Sequence, residues 1–201
     1  MERVGVVTRI LRPSPIPPAY IDLRRMLAAQ SAMERGPGSK VFAELVREHQ
    51  SMVFSIACHF LRDRSLAEEI AQDVFLQLYR NLESLESEAH VAFWLRRVTS
   101  NRCVDYVRRR QRRPETSLDD GPEPRNVEAS GDPMLSRKLR ALVQSLPEKP
   151  RLVMILRYQE DLMPEEIART LDMPVRSVKS ILHRSLAILR EKMERSMGDP
   201  R

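Results

Sequence analysis

Cysteine, glycine and aromatic residues are scarce in this 201-residue sequence, and each scarcity excludes a class of protein. The two cysteines, Cys58 and Cys103, form no CxxC motif and make no disulfide framework. Neither lies in a His/Cys group with metal-ligand spacing, so we predict no metal site and interpret both as core residues of a protein in a reducing compartment. Aromatic residues make up 5% of the chain and glycine occurs six times, while Leu, Ala, Glu and Arg recur. This composition favours an all-α fold.

Long apolar runs are absent as well. No run approaches the roughly 20 residues that a membrane-spanning helix needs, and the first residues have too short an apolar core for a secretory signal. We therefore expect a cytoplasmic protein without membrane insertion. Charge, in contrast, is abundant: 34 Lys and Arg against 28 Asp and Glu give a net charge of +6. Such a balance favours a polyanionic partner wherever the positive residues cluster.

Groupings that would indicate catalysis are also missing. The four histidines are scattered, and the chain has no Ser/His/Asp arrangement and no glycine-rich phosphate loop. We therefore predict that the protein is not an enzyme and uses no cofactor. The histidines are His49, His59, His90 and His183.

Composition divides the chain into segments. Residues 1–38 contain PSPIPP and GPG, which interrupt helices, and predict a disordered N-terminal extension. Residues 114–133 are rich in Pro, Gly, Asp and Glu without periodicity, and predict a flexible acidic linker. Residues 39–113 and 134–196 carry helical periodicity, and 197–201 form a tail. The predicted fold is therefore all-α, with two small helical domains, the C-terminal one containing a helix-turn-helix.

Two amphipathic helices begin the first domain. The first is predicted over about residues 41–62, with Gln50 among the residues that face outwards. A capping box at Ser65–Glu68 predicts the start of the second, which ends near Asn81. Its buried ridge is predicted to be Leu66, Ile70, Val74, Leu78 and Leu82. The opposite face could be a solvated surface or a partner-docking surface, and it comprises Glu69, Gln72, Asp73 and Gln77.

The third predicted helix, about 88–113, is strongly basic. Between Arg96 and Arg113 the only acid is Asp105, so the helix repels itself unless something anionic lies along it. Phe93 and Trp94 precede the arginine-rich stretch, and aromatic faces beside arginines suit single-stranded nucleic acid, although Trp94 could equally be a core anchor. The candidate nucleic-acid residues are Trp94, Arg97, Asn101, Arg102, Arg108, Arg109 and Arg112.

The segment from Leu162 to Met193 predicts two helices joined by a tight turn. Pro164 is placed to open the first helix, and Asp172 lies where the turn requires a left-handed residue. This pattern is typical of a helix-turn-helix whose second helix enters a DNA major groove, while an ordinary helical hairpin with a basic face is the alternative. The outward residues of the second helix are Arg176, Ser177, Lys179, Ser180, His183 and Arg184.

Four motifs in this order resemble the bacterial sigma factors, in particular the extracytoplasmic-function (ECF) branch, which keeps only region 2 and region 4. They are DRSLAEEIAQDVFLQLYRNL, FWLRRVTSNRCVDYVRRRQRR, LPEKPRLVMILRYQEDL and EEIARTLDMPVRSVKSILHRSLAILR. The resemblance covers about residues 41–195. One departure is Arg176-Ser177, where the family usually has a Gly-Thr pair.

The resemblance implies a role for each candidate surface. The face with Glu69, Gln72, Asp73 and Gln77 is expected to bind the clamp of core RNA polymerase. The basic third helix, with Asn101 beside an extruded base, is expected to recognise and melt the minus-ten element as single-stranded DNA. The last helix is expected to read the minus-thirty-five element as duplex. An anti-sigma factor is a common partner in this branch. Because the resemblance implies binding to promoter DNA, we expect the protein to be associated with the nucleoid.

The linker length supports a scaffolded arrangement. A flexible chain of about 20 residues has an end-to-end distance of about 25 Å and reaches about 70 Å when extended. Two turns of duplex span about 70 Å, so a scaffold such as RNA polymerase must stretch the linker. The alternative function is a stand-alone helix-turn-helix regulator of duplex DNA, which leaves the basic helix and the IAQDVF face unexplained.

Overall fold

The computed structural model describes residues 37–85, 87–112 and 133–197, and within these ranges the chain is helical without strands. This confirms the all-α prediction. Residues 1–36 of the predicted N-terminal extension and residues 114–132 of the predicted linker lie outside the described ranges. The helices fall into two compact units, one on either side of the linker. No helix in the described ranges is long and apolar enough to cross a membrane.

The first unit contains three long helices. Helix α1 spans Pro37–Leu61, α2 spans Arg64–Asn81 and a 3-10 turn, Leu82–Ser84, follows it; α3 spans Glu88–Arg112. Helix α1 packs against both α2 and α3, and its buried side chains include Phe42, Ile56 and Phe60. The predicted ridge of α2 is buried at four of its five positions, Leu66, Ile70, Val74 and Leu78. The fifth, Leu82, is half-buried because the helix ends there.

Gln50 corrects the predicted outer face of α1. Its side chain is buried, and its amide donates to the carbonyl of Arg47 at 3.3 Å. The neighbouring His49 is also buried, and burial together with the positive charge of Arg96 on α3 lowers its pKa. Because two helices cover α1, its buried arc is wider than one apolar stripe, and polar residues at the edge of the stripe lose contact with water.

The start of α2 corrects the predicted capping box. The helix begins at Arg64, and the residue before it, Asp63, is the N-cap: its carboxylate accepts from the Leu66 N–H at 3.0 Å. Arg62, with φ of 60°, ends α1 in the left-handed region, and its N–H donates to the carbonyl of Cys58. Two successive residues thus end one helix and start the next, which places Ser65 inside α2 instead of at its cap.

We expect Asp63→Ala to lower the free energy of unfolding of the first unit by about 1 kcal/mol, since the N–H of Leu66 loses its acceptor. Chemical denaturation followed by tryptophan fluorescence measures this directly, because Trp94 is the only tryptophan and lies in this unit. Ser65→Ala is the matched control and should change stability by less than about 0.5 kcal/mol. If Ser65→Ala were the more destabilising, the assigned cap would be wrong.

The second unit contains four helices: α4 spans Pro133–Gln144, α5 Glu148–Tyr158, α6 Pro164–Leu171 and α7 Val175–Met197. Helix α5 is the most buried, with every residue from Leu152 to Leu156 inaccessible. The long α7 packs against each of the other three helices. One apolar cluster joins α4, α5 and α7; its buried members are Leu139, Val143, Leu146, Met154, Tyr158 and Leu189. The α7 side chains in or against this cluster are Leu182, Leu186, Leu189 and Met193, which follow the first turns of the helix.

Candidate functional site

The outer side of α2 combines acidic, amide and apolar side chains. Glu69 and Asp73 are exposed, and Gln72 and Gln77 are half-buried at the edges. Leu76 lies on the same side at helical spacing and is 41% exposed. Sequence reasoning missed Leu76, and the available signal was a leucine outside the buried ridge. We call these five residues the α2 face.

Helix α3 separates a buried side from a charged side. Leu95, Thr99 and Cys103 are buried, and burial raises the pKa of the Cys103 thiol to about 12, which keeps it protonated and unreactive. On the opposite side, positions three, four and seven residues apart form one continuous stripe. We call it the α3 stripe; it comprises Trp94, Arg97, Asn101, Arg108 and Arg112, and the exposed acid Asp105 lies on the same side between Asn101 and Arg108. All of these are exposed except Trp94, which is half-buried.

Arg102 and Arg109 lie one step around the helix from this stripe, on the side towards α2. Arg109 is exposed and Arg102 half-buried. With the Gln77 amide oriented so that its oxygen faces Arg102, that oxygen accepts from Arg102 Nε at 3.1 Å and from Nη2 of the same guanidinium. The contact joins the edge of the α2 face to the edge of the α3 stripe, so the two surfaces predicted separately from sequence meet at one hydrogen-bonded pair.

Helices α6 and α7 cross after a turn of three residues. Pro164 is the first residue of α6, and the Glu166 carboxylate accepts from the Met163 N–H at 2.7 Å to close the cap. Asp172 ends α6 with φ of 51°, which confirms the predicted left-handed residue. Its neighbour Met173 donates its N–H to the carbonyl of Ala168 at 3.0 Å. These contacts fix the angle at which α7 leaves the turn.

The first half of α7 presents a polar side to solvent. Val178 is fully buried against the core and marks the opposite side of the helix. The four long side chains of the polar side, Arg176, Lys179, His183 and Arg184, are exposed, and the two serines, Ser177 and Ser180, are half-buried. We call these six residues the α7 face. Lys179 is held by Glu165 of α6, with 3.0 Å between Nζ and Oε1.

The residues that the structure describes contain no candidate metal site. No group of three or more His, Cys, Asp and Glu side chains is arranged to hold a metal ion there. Two of the four histidines, His49 and His59, belong to α1. His49 is buried, and the ring of His59 contacts the carbonyl of Ser55 at 2.8 Å.

Comparison with protein families gives two matches in chain order. The family described as Sigma-70 region 2 matches residues 45–113, which contain the α2 face and the α3 stripe. The family described as Sigma-70, region 4 matches residues 136–189, which contain the α7 face.

Two relatives match most of the chain. The ECF RNA polymerase sigma-E factor of Escherichia coli is 31% identical over 168 residues, which cover 77% of this chain and 87% of the relative. The ECF RNA polymerase sigma factor SigW of Bacillus subtilis is 28% identical over 169 residues, which cover 76% and 88% of the two chains.

Two solved structures share the fold. The sigma factor RpoE in complex with the anti-sigma factor NepR from Bartonella quintana matches with a TM-score of 0.64 and 19% identity, over 77% of this chain and 98% of that chain. CnrH in complex with the cytosolic domain of CnrY matches with a TM-score of 0.57 and 19% identity, over 85% and 96%.

Proposed function

The chain belongs to the ECF branch of the bacterial sigma factors, with a region 2 and a region 4, and on this premise we propose how its two helical units divide the work of transcription initiation. The first unit docks on core RNA polymerase and melts the promoter at the minus-ten element. The second binds the minus-thirty-five element as duplex. The polymerase performs the chemistry, and the chain itself catalyses nothing. Its place of action is the nucleoid.

The α2 face is the docking surface for the clamp of core RNA polymerase. An exposed leucine ringed by acids and amides has the make-up of an interface centre, in which an apolar contact excludes water and polar groups at its edge set the orientation. Leu76 supplies the apolar contact, while Glu69 and Asp73 supply negative charge for a basic partner surface.

The α3 stripe melts DNA by binding the opened form better than the duplex, because the chain has no nucleotide motor to do mechanical work. Asn101 lies at the centre of the stripe and offers both a donor and an acceptor to the edge of an unstacked base. Arg97 precedes it by about one helical turn and Arg108 follows it by about two, so both are placed for neighbouring phosphates. Trp94, at the start of the stripe, is placed for stacking.

The α7 face reads duplex DNA. Helices α6 and α7 form a helix-turn-helix, and the front half of α7 is the part that enters the major groove in such motifs. Arg176 and Lys179 are the residues for base edges or phosphates at the helix entrance, and Arg184 lies about two turns further along for the backbone. Phosphate contacts supply affinity and base contacts supply sequence choice.

An anti-sigma factor is the proposed regulator of this chain. Two solved structures of the same fold are complexes with another protein: the sigma factor RpoE with the anti-sigma factor NepR, and CnrH with the cytosolic domain of CnrY. A protein that covers the α2 face would prevent assembly with the polymerase, which is the simplest way to silence a chain of this kind.

The observation that carries the proposal is the presence of three distinct polar surfaces on one chain, in the order of region 2 and region 4. A stand-alone helix-turn-helix regulator needs only the α7 face. Run-off transcription with purified chain, cognate core polymerase and genomic promoter fragments tests the assignment. We expect specific transcripts only when both proteins are present, whereas transcripts of equal yield without the chain would contradict it.

The contact between Gln77 and Arg102 predicts that docking and melting are coupled. We expect Gln77→Ala to lower the rate of open-complex formation by about two- to tenfold, since Arg102 loses the acceptor that holds it. The effect should vanish in an Arg102→Ala background. Gln72→Ala, on the same face, is the control and should affect core binding alone. A Gln77→Ala defect that persists without Arg102 would show that the pair does not transmit it.

A further inference from the structure

Glu165 and Lys179 form an ion pair across the helix-turn-helix, and it lies at the surface. The carboxylate belongs to the first turn of α6 and the ammonium to the second turn of α7, with 3.0 Å between them. The side chain of Glu165 is 54% exposed and that of Lys179 is 60% exposed, so the pair is not part of the core. It lies on the α7 face, where the proposed DNA site requires positive charge.

Glu165 does not form the N-terminal cap of α6. The adjacent Glu166 closes the N-terminal cap of α6, whereas the Glu165 carboxylate is directed at Lys179. The ammonium lowers the pKa of Glu165, so the residue is a full anion near neutral pH. Within residues 133–197 no carboxylate pairs with Arg176 or Arg184 in this way. Lys179 is therefore the cation of the α7 face that has a carboxylate partner within the described residues 133–197.

We propose that Glu165 determines specificity by withholding Lys179 from the phosphates of arbitrary DNA. The inference rests on the proposed function of the α7 face. Sequence-independent binding depends on Lys and Arg contacts to phosphates and on the counterions that they release. A lysine that already has a carboxylate partner gains little by exchanging it for a phosphate, because the abandoned carboxylate must then recruit a cation from solution. At the correct promoter Lys179 donates to a base edge while it keeps Glu165, and the base edge holds the ammonium there even without the carboxylate.

Four holoenzymes test this proposal: the full chain as wild type, Glu165→Gln, Lys179→Gln and the double variant, each assembled with cognate core polymerase. Their binding is measured on a promoter duplex and on one with a scrambled minus-thirty-five element, over a range of salt. The core enzyme contributes equally to DNA binding by all four holoenzymes, so its contribution cancels when their affinities are compared as ratios. Glu165→Gln conserves shape at an exposed site, and thermal unfolding verifies that each variant is folded.

For Glu165→Gln we expect binding to the scrambled duplex to tighten by about two- to fivefold. The slope of log affinity against log salt on that duplex should steepen by about 0.9, the value for one additional phosphate contact. Promoter affinity should change less than about twofold, so discrimination falls. In the Lys179→Gln background the same change should have no effect on the scrambled duplex.

Three results would overturn the proposal. Equal tightening on both duplexes would mean that Glu165 lowers the affinity for DNA in general and does not affect discrimination between the two sequences. A Glu165→Gln effect that survives in the Lys179→Gln background would mean that the carboxylate acts on DNA directly. An unchanged affinity and slope on the scrambled duplex would mean that the pair does not compete with phosphate. Failure of the proposed function gives a different result, since the wild-type holoenzyme would then not prefer the promoter.

Discussion

Asn101→Ala is expected to slow open-complex formation by about 10- to 100-fold while changing the affinity of holoenzyme for duplex promoter by less than about twofold. Asn101 is exposed at the centre of the α3 stripe, where its amide can pair with the edge of an unstacked base. Base-edge contacts of this kind are worth about 1–3 kcal/mol, and the closed duplex does not expose that edge. The loss therefore falls on the melted state alone.

Permanganate reactivity of unpaired thymines follows melting, and a mobility shift at low temperature measures binding to the closed duplex. Asn81→Ala is the matched control, because Asn81 is an exposed asparagine at the end of α2, outside the stripe. It should leave both measurements unchanged. Equal losses in melting and in duplex binding for Asn101→Ala would show that Asn101 contributes general affinity and reads no extruded base.

Asp73→Lys is expected to weaken binding to core RNA polymerase by about 2–4 kcal/mol, which is the range for breaking a charged contact inside an interface and leaving its partner unpaired. Asp73 is exposed at the middle of the α2 face, and Leu76 lies one turn further along the same side. Reversal of the charge places a cation against the surface that the face is proposed to meet, and it leaves the buried ridge of α2 intact.

Fluorescence anisotropy of a labelled chain titrated with core polymerase measures this loss. Glu44→Lys makes the same charge change on α1, at an exposed residue outside the α2 face, and should bind as tightly as the wild type. Circular dichroism of both variants verifies the fold. If the two substitutions weakened binding equally, the interaction would depend on overall charge, and the α2 face would not be the docking surface.

Helical periodicity predicted most of the fold. The ridge of α2 was correct at Leu66, Ile70, Val74 and Leu78 because these large apolar residues recur at helical spacing. The covered face is wider than that ridge, since Ala67, Ala71 and Phe75 beside it are also buried against α1 and α3. The turn before α7 was also predictable, because Asp172 is among the few residue types that accept a left-handed conformation. In both cases the local sequence contains the determining interaction.

Errors arose where tertiary contacts override the local pattern. Gln50 is buried because α2 and α3 both cover α1. The periodicity of α1 shows its apolar face, but it does not show that a second helix covers the residues beside that face. The sequence Asp63-Arg64-Ser65 offers two residues that can cap a helix, and the left-handed Arg62 decides between them. The burial of Gln50 and the N-cap of α2 both depend on a neighbouring helix, and the periodicity of one helix contains no information about its neighbours.

The candidate surfaces were predicted better than the contacts between them. Exposure of the α3 stripe follows from helical spacing, but the pairing of Gln77 with Arg102 requires the crossing of α2 and α3. The pairing of Glu165 with Lys179 likewise requires the angle between α6 and α7.

The central claim is that two weak DNA-binding units act together only when a larger scaffold holds them apart. Footprinting of a genomic promoter fragment by the full-length chain, with and without core polymerase, tests it most directly. The account predicts no selective protection by the chain alone and, with the core enzyme, protection of two segments about two helical turns apart. Selective protection of the same promoter by the chain alone, unchanged when the core enzyme is added, would contradict it.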